Sequence, residues 1–344
     1  MIDSRLRVGV VGAGQNTRLH HIPKLQAIDG VEVVAVSNRS VASSRRVAEE
    51  FGIERVHEHW ADLVADPSLD AIVIGTWPNL HAQVTIAALE AGKHVLCEAR
   101  LARTVAEARR MVEAAARHPK LITQVVPSPF TLACDATISR LIGEGYLGDL
   151  LGVEIIHRTG FTDPTRPRTW RQTTELSGVN IMTLGIWYEA VLRWVGAADW
   201  VAAAGRTFVP QRPAADGTLE TVDVPDHLEV IGSLACGAQL RIALSEVVGH
   251  APGNGIWLYG SEGTLRFADG RLSGGRREDA EPRGIAVPAE EAIGWRVEEE
   301  FVGAIRGTEP VRRTTFADGL RYLIFTEAVW RSLRERRTVS LSEL

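Results

Sequence analysis

The sequence predicts an α/β protein with two parts: a doubly wound parallel sheet at the N-terminus, then an α+β domain with an open, mostly antiparallel sheet. The chain has 344 residues, which is long for one hydrophobic core. Its first third alternates apolar runs of strand length with helical patterns, as in parallel sheets covered on both faces. Two prolines in VVPSPF end this rhythm, and strands then follow one another. We therefore expect domains at 1–127 and 128–344, with the C-terminal helix packing back on the first.

Local patterns place the elements of the first domain. Thr104 and Glu107 have the spacing of a capping box at a helix start, and Gly92 lies where a helix C-terminus favours glycine. The predicted strands are Leu6–Val11, Val31–Val36, Ala71–Ile74, His94–Cys97 and Leu121–Val126. The predicted helices are Asn16–Ile28, Val41–Phe51, Leu80–Ala91 and Thr104–Arg117.

The second domain has fewer helices and more strands. Its predicted helices are Ala133–Gly143, Val179–Val195, Trp295–Ile305 and Asp318–Arg334. Its predicted strands are Leu151–His157, Trp200–Val209, His227–Leu234, Gln239–Val247, Gly255–Tyr259 and Gly263–Phe267. A loop rich in arginine, threonine and proline occupies 161–177, and the polar SGGRREDAEPRG segment predicts a hairpin or loop.

The overall composition argues against several kinds of partner. The net charge of −5 comes with no basic stripe, so we expect no nucleic-acid partner. No apolar run approaches the ~18 residues that span a membrane, and the N-terminus has no signal-peptide pattern. The three cysteines, Cys97, Cys134 and Cys236, form no metal or disulfide pattern. We expect a cytoplasmic protein without a metal.

The first strand runs into VGVVGAGQNT, a glycine-rich loop. Gly12 and Gly14 lie between a predicted strand and a predicted helix, the context that a dinucleotide fingerprint requires. Thr17 replaces the third glycine of that fingerprint. We expect a dinucleotide to bind at Gly12, Ala13, Gly14, Gln15, Asn16 and Thr17. The alternative is that the glycines serve only the turn.

The end of the second strand bears on the type of cofactor. An acid there would bind the ribose hydroxyl of NAD, whereas arginine suits the 2′-phosphate of NADP. The sequence has Asn38, Arg39 and Ser40 and no carboxylate. We therefore expect NADP in preference to NAD, with a solvated loop arginine as the alternative.

Several longer segments resemble the Gfo/Idh/MocA family of nicotinamide-dependent sugar and polyol oxidoreductases. They are GVVGAG followed by HHIP, LDAIVIGTWPNLHAQVTIAALEAGKHVLCE, and WRQTTELSGVNIMTLG. The resemblance implies an N-terminal Rossmann domain and a second domain whose open sheet forms a homodimer or homotetramer. It implies that Thr76, Trp77, Pro78, Asn79 and His81 border the cofactor, as do Glu98 and Ala99.

The chain departs from the family at three catalytic positions. Glu98-Ala99-Arg100 stands where the family has Glu-Lys-Pro, so the lysine is missing. Thr183 and Trp187 stand where the resemblance implies aspartate and histidine one helical turn apart. The remaining proton-transfer candidates are Tyr188, Glu189 and His157, each of which has a structural role as its alternative. We expect Arg100, Trp170, Arg171, Thr183 and Trp187 to contact the substrate.

Three functions remain open from the sequence. The first is an NADP-dependent oxidoreductase that acts on a sugar-like or cyclic polyol or keto substrate at a remodelled site. The second is a redox-neutral enzyme that uses tightly held nicotinamide for transient oxidation. The third is a non-catalytic dinucleotide-binding sensor or subunit. Net turnover of the nicotinamide separates the first from the second.

Overall fold

A computed structural model describes residues 5–214, 216–251 and 253–344. They form two compact units. The first unit runs to residue 127 and takes in 296–320 from late in the chain. The second unit consists of 128–295 and 321–344. No helix among these residues is long and apolar enough to cross a membrane.

The first unit contains a six-stranded parallel sheet in the order β3-β2-β1-β4-β5-β6, the Rossmann arrangement. Its central strands are buried apolar runs, as two-sided burial requires. This confirms the predicted fold class of the first domain. The strands are β1 (Leu6–Val11), β2 (Val31–Ser37), β3 (Arg55–Val56), β4 (Ala71–Ile74), β5 (His94–Cys97) and β6 (Thr123–Val125).

The helices of the first unit begin and end where local signals place them. The Thr104 hydroxyl accepts a hydrogen bond from the Glu107 N–H at 3.2 Å, and Gly92 has φ +75° just after a helix. A π-helical turn at Thr17–His21 leads into α1. The helices are α1 (Ile22–Gln26), α2 (Val41–Phe51), α3 (Trp60–Ala65), α4 (Pro78–Glu90), α5 (Val105–Arg117) and, from the later stretch, α9 (Val297–Ile305).

The second unit is built on a nine-stranded sheet in the order β16-β15-β14-β13-β7-β12-β11-β8-β17. Only β7 and β12 pair in parallel, so the sheet is mostly antiparallel, as predicted. A separate pair joins β9 (Gln211–Pro213) and β10 (Leu219–Thr221). The large sheet contains β7 (Leu150–Arg158), β8 (Ala198–Arg206), β11 (His227–Leu234), β12 (Gln239–Ser245), β13 (Gly255–Gly260), β14 (Gly263–Ala268), β15 (Arg271–Arg276), β16 (Arg283–Gly284) and β17 (Val339–Ser340).

The two faces of this sheet differ because side chains alternate along each strand. Val153 and Ile155 of β7 are buried on one face, which we call the inner face. Glu154, between them, lies on the other face and pairs with Arg241 of β12. The helices of this unit are α6 (Asp135–Gly143), α7 (Thr174–Ser177), α8 (Leu184–Val195) and α10 (Phe316–Glu335), with 3-10 turns at Trp170–Gln172 and Leu341–Glu343.

Helix α8 begins five residues later than the predicted Val179. Gly178 ends the preceding α7 with φ +65°, and Met182 has φ +42°. A helix cannot run through these left-handed backbone conformations. Thr183 is therefore the N-cap residue of α8, and Trp187 lies one turn inside the helix.

Candidate active site

The glycine loop after β1 packs tightly against the loop after β4. Gly12 has φ +85°, and a β carbon on it would lie 2.6 Å from Cγ2 of Thr76. Gly12 is therefore required by the protein's own packing. A β carbon on Gly14 would meet only the Gly75 carbonyl oxygen, at an ordinary 3.4 Å. The absence of a side chain at Gly14 thus leaves room for a ligand to approach the backbone.

Two of the three polar residues after β2 hold the backbone, and the third is exposed. Asn38 anchors the glycine loop, because its Oδ1 accepts a hydrogen bond from the Ala13 N–H at 2.6 Å. Ser40 caps α2, where its hydroxyl accepts from the Ser43 N–H. Arg39 is exposed, and its guanidinium lies 5.8 Å from the centroid of the Trp77 ring. Of these three residues, Arg39 is the one placed to meet a charged ligand.

The segment from Thr76 to His81 opens helix α4. Pro78 occupies its first turn, and Oδ1 of Asn79 is buried without a hydrogen-bond partner among the described residues. His81 is fully buried, with Nε2 3.0 Å from the Thr76 carbonyl and Nδ1 3.0 Å from the Arg100 carbonyl. His81 therefore ties together the loops after β4 and β5. Burial lowers the pKa of His81.

Glu98, at the end of β5, is held by several hydrogen bonds. The Asn16 amide donates to its Oε1, and the Ala99 N–H donates to its Oε2 at 3.1 Å. Nε2 of the buried His21 lies 3.0 Å from Oε1 of Glu98. On its other side, Nδ1 of His21 lies 2.5 Å from Glu298 of α9. The side chain of Glu98 is thus fixed beside the glycine loop.

These contacts set the charges of both groups. Burial alone would lower the pKa of His21, but hydrogen bonds to Glu298 and Glu98 outweigh burial and raise the pKa to about 9. Burial would raise the pKa of Glu98, but the hydrogen bond and the charge of His21 hold that pKa below its ordinary value. At neutral pH an imidazolium therefore lies between two carboxylates.

The other predicted site residues of the first unit differ in exposure. Gln15 is exposed, whereas Thr17 is buried with its hydroxyl 3.4 Å from the Gly12 carbonyl. Ala99 is half-buried, and Arg100 is buried. The peptide bond between Ala99 and Arg100 is cis.

In the second unit, His157 lies next to Thr183 and Trp187. Its Nδ1 is 3.3 Å from the Thr183 hydroxyl, and its ring centroid is 5.2 Å from that of Trp187. Phe130 completes this group, with its ring centroid 4.6 Å from Trp187. We call these four residues the His157 cluster. Burial lowers the pKa of His157, so its imidazole is neutral at pH 7.

Tyr188 lies in the core of the second unit. Its ring stacks on Phe325 at 3.6 Å between centroids, and its hydroxyl oxygen accepts a hydrogen bond from the Ala198 N–H at 2.7 Å. The side chain is fully buried, and burial raises its pKa to about 12. These contacts connect α8 with the start of β8.

Glu189 belongs to a buried ionic network. Its Oε2 accepts from the Ser128 N–H at 3.0 Å, and its Oε1 is 2.6 Å from Arg193. Arg193 also pairs with Asp135 at 2.9 Å, and Asp135 accepts from the Trp194 indole N–H. The network joins α8 to α6. It supplies the partners that buried charges need.

The arginines of the 161–177 loop are dispersed. Arg168 pairs with Glu220 at 2.9 Å, and Arg166 lies 3.8 Å from Asp163. Arg171 is exposed and lies over the Trp170 ring, 4.3 Å from its centroid. Trp170 and Arg171 therefore form a stacked pair in this loop, and its arginines do not gather into one cluster.

Sequence reasoning missed three residues of these arrangements. His21 was visible in HHIP, but its partner Glu298 lies 277 residues away, and no local pattern joins them. Phe130 follows the two prolines at the predicted domain boundary, and nothing in the local sequence indicates that its ring contacts Trp187.

The fold and the glycine loop together define a class of protein. The Rossmann sheet carries a glycine loop that needs Gly12 for its packing and leaves space at Gly14. Near this loop lie the fixed carboxylate of Glu98 and, at Asn79, a buried side-chain oxygen without a hydrogen-bond partner among the described residues. Such groups suit the phosphates, ribose hydroxyls and amide of a nicotinamide dinucleotide. The first unit is therefore of the dinucleotide-binding class.

Comparison with protein families identifies the chain more closely. Residues 6–125 match the oxidoreductase family with an NAD-binding Rossmann fold, GFO/IDH/MocA. Residues 136–266 match the GFO/IDH/MocA C-terminal domain. The chain belongs to this family, as its motifs had indicated.

Individual relatives are sugar and polyol dehydrogenases. The chain is 26% identical to levoglucosan dehydrogenase from Pseudarthrobacter phenanthrenivorans over 76% of its own length and 73% of that protein. It is 27% identical to inositol 2-dehydrogenase from Acidothermus cellulolyticus over 98% of its own length and 95% of that protein. A solved structure of levoglucosan dehydrogenase, in complex with NADH and L-sorbose, has the same fold. Its TM-score is 0.87 at 23% identity, with 98% of each chain covered.

Proposed function

We propose that the protein is an NADP(H)-dependent oxidoreductase that acts on a sugar-like or cyclic polyol, or on its keto form, at a remodelled site. The observation that carries this proposal is the position of His157 against Thr183 and Trp187. At the helix positions where the resemblance implies aspartate and histidine, this chain has neither. His157 of strand β7 instead brings an imidazole against Thr183 and Trp187.

His157 has the properties of a proton carrier. Its neutral imidazole can accept a proton near neutral pH. For Nε2 to be the accepting atom, Nδ1 must carry the hydrogen and donate it to the Thr183 oxygen. The contact with Thr183 therefore holds the orientation of the ring. A bound nicotinamide supplies hydride acceptance or donation, and His157 handles the hydroxyl proton.

Trp187 and Phe130 give the cluster an aromatic wall. Their rings lie 4.6 Å apart between centroids, and Trp187 is almost fully buried. Aromatic faces pack against the C–H surface of sugar rings while leaving hydroxyl groups free for polar partners. This favours a cyclic substrate. Tyr188 and Glu189 have structural partners in the core, so we assign the proton step to His157 and not to them.

The preference for NADP rests on Arg39. The end of β2 offers no carboxylate for a ribose hydroxyl, and Asn38 already holds the glycine loop. The exposed guanidinium of Arg39 suits a 2′-phosphate. The Trp77 ring beside it offers a flat surface for the adenine.

We also propose that the outer face of the large sheet meets a second copy of the chain. Ile231 is 58% exposed there and Tyr259 is 38% exposed, and Trp257 lies on the same face beneath Arg266. Exposed apolar side chains on one face are typical of an interface. Light scattering at several concentrations would show a dimer or larger oligomer, and a monomer throughout would contradict this point.

The test of the function is turnover with defined probes. Levoglucosan and inositol with NADP+ or NAD+, and L-sorbose with the reduced forms, would be followed by the absorbance of reduced nicotinamide. We expect net turnover, and we expect His157→Gln to lower kcat about a hundredfold or more. The exposed His59, which makes no capping bond at α3, provides the control His59→Gln. Sugar interconversion without net change in nicotinamide would instead favour a redox-neutral enzyme.

A further inference from the structure

A second polar group, Glu246, comes directly after β12, the parallel neighbour of the strand that carries His157. Leu244 of β12 pairs with His157 of β7 in parallel register, so the two side chains share the inner face. Glu246 lies two residues beyond Leu244, and its N–H continues the ladder by donating to the Asp226 carbonyl at 2.8 Å. Because side chains alternate along a strand, Glu246 shares this face with His157.

Glu246 and His157 come at the same edge of the large sheet. His157 and Glu246 lie at the carboxyl ends of the two parallel neighbours, β7 and β12. Diagonal neighbours on one sheet face lie about 7–8 Å apart, close enough for both side chains to contact one small molecule.

Glu246 carries a carboxylate that the surrounding protein does not fully satisfy. It is half-buried, and no hydrogen bond to its side-chain oxygens is found within the described residues. Burial raises the pKa of Glu246, Arg171 opposes this effect, and Asp226 adds to it. The Asp226 carboxylate is already occupied by the Phe208 and Val209 N–H groups, at 2.8 and 2.9 Å. A partly desolvated carboxylate near Arg171 is suited to accept hydrogen bonds from hydroxyl groups.

We propose that Glu246 binds the substrate, accepting hydrogen bonds from its hydroxyl groups next to the one that reacts at His157. Arg171 supports the same subsite by balancing the charge of the carboxylate. The proposal rests on the oxidoreductase function above and adds the substrate class: a polyol with a free hydroxyl beside the reacting one. Glu246 determines affinity and specificity, whereas the proton step stays with His157.

The test is a comparison of ligand binding and turnover in Glu246→Gln. Gln has the same shape without the charge, and because burial disfavours that charge, the variant should fold. Levoglucosan and inositol would be titrated calorimetrically into the protein holding NADPH, and KM and kcat measured with NADP+. We expect Kd and KM to rise about tenfold to a hundredfold, with kcat little changed. Glu246→Asp should recover part of the affinity.

The control is Glu281→Gln, because Glu281 is exposed between β15 and β16. If the wild type binds and turns over a probe but Glu246→Gln has the same Kd and KM as Glu281→Gln, the inference about Glu246 is wrong and the oxidoreductase function stands. If the wild type binds none of the probes and turns over none, the polyol assignment and the subsite fail together. A fall in kcat at unchanged Kd would also contradict a binding role for Glu246.

Discussion

Nε2 of His21 lies 3.0 Å from Oε1 of Glu98, and the contact joins the turn after the glycine loop to the end of β5. His21 is fully buried and its other nitrogen faces Glu298, so the imidazolium is confined between two carboxylates. Glu98 is thereby kept ionised and fixed in orientation. The first unit thus maintains a negative group at its cofactor edge through a residue from α9, far along the chain.

The contact predicts how stability depends on pH. His21 has a pKa of about 9 in the folded protein against 6.5 when unfolded. Its contribution is therefore fully present below pH 6.5 and is lost as the pH rises through 9. Calorimetry should show a melting temperature that falls across this interval. The lowered pKa of Glu98 predicts the opposite loss at acid pH, since its contribution disappears as the carboxylate is protonated.

His21→Gln tests the origin of this dependence. The variant removes the imidazolium between Glu98 and Glu298, and breaking a buried ion pair costs about 3–5 kcal/mol. Its melting temperature should be lower and should vary less than that of the wild type between pH 6.5 and 9. An undiminished slope in His21→Gln would assign the dependence to other groups. His59→Gln should follow the wild type.

Arg39→Ala should separate the two cofactors. Loss of a charged hydrogen bond to the 2′-phosphate weakens NADP+ binding by about tenfold to a hundredfold, while NAD+ loses little. Quenching of tryptophan fluorescence reports the affinity, because Trp77 lies beside Arg39. Arg45→Ala, an exposed change on α2, should leave both affinities unaltered. Equal weakening of NAD+ and NADP+ by Arg39→Ala would remove the reason for preferring NADP.

Tyr188→Phe should lower stability and spare catalysis. The variant keeps the stacking on Phe325 but leaves the Ala198 N–H without an acceptor, at a cost of about 1–3 kcal/mol. We expect a lower melting temperature and kcat within about a factor of two of the wild type. A fall in kcat comparable with that of His157→Gln would return Tyr188 to the proton-transfer candidates.

Ala99→Lys should not by itself create a typical dehydrogenase of the family. The change adds a lysine where the resemblance implies one, but Thr183 and Trp187 remain where it implies aspartate and histidine. We expect kcat/KM on levoglucosan and inositol to rise less than about tenfold over the wild type. A larger gain would show that the lysine alone limits turnover.

The sequence predicted the parts of the fold that depend on local pattern. Four strands have the predicted bounds: Leu6–Val11, Ala71–Ile74, His94–Cys97 and His227–Leu234. The residues that indicate each of these strands lie close together in the sequence. The predicted start of α8 was wrong by five residues, because Met182 has φ +42° and a helix cannot run through that conformation.

The sequence by itself determined the glycine loop and the missing carboxylate after β2, since each can be recognised within a few consecutive residues. It also has Ala99, Thr183 and Trp187 where the resemblance implies lysine, aspartate and histidine. Only the tertiary structure brought His157 to Thr183, 26 residues away, and His21 to Glu298, 277 residues away. It also paired β7 with β12 in parallel, which sets Leu244 opposite His157. Periodicity fixes which face a side chain occupies, but strand register and helix packing decide which distant side chain it meets.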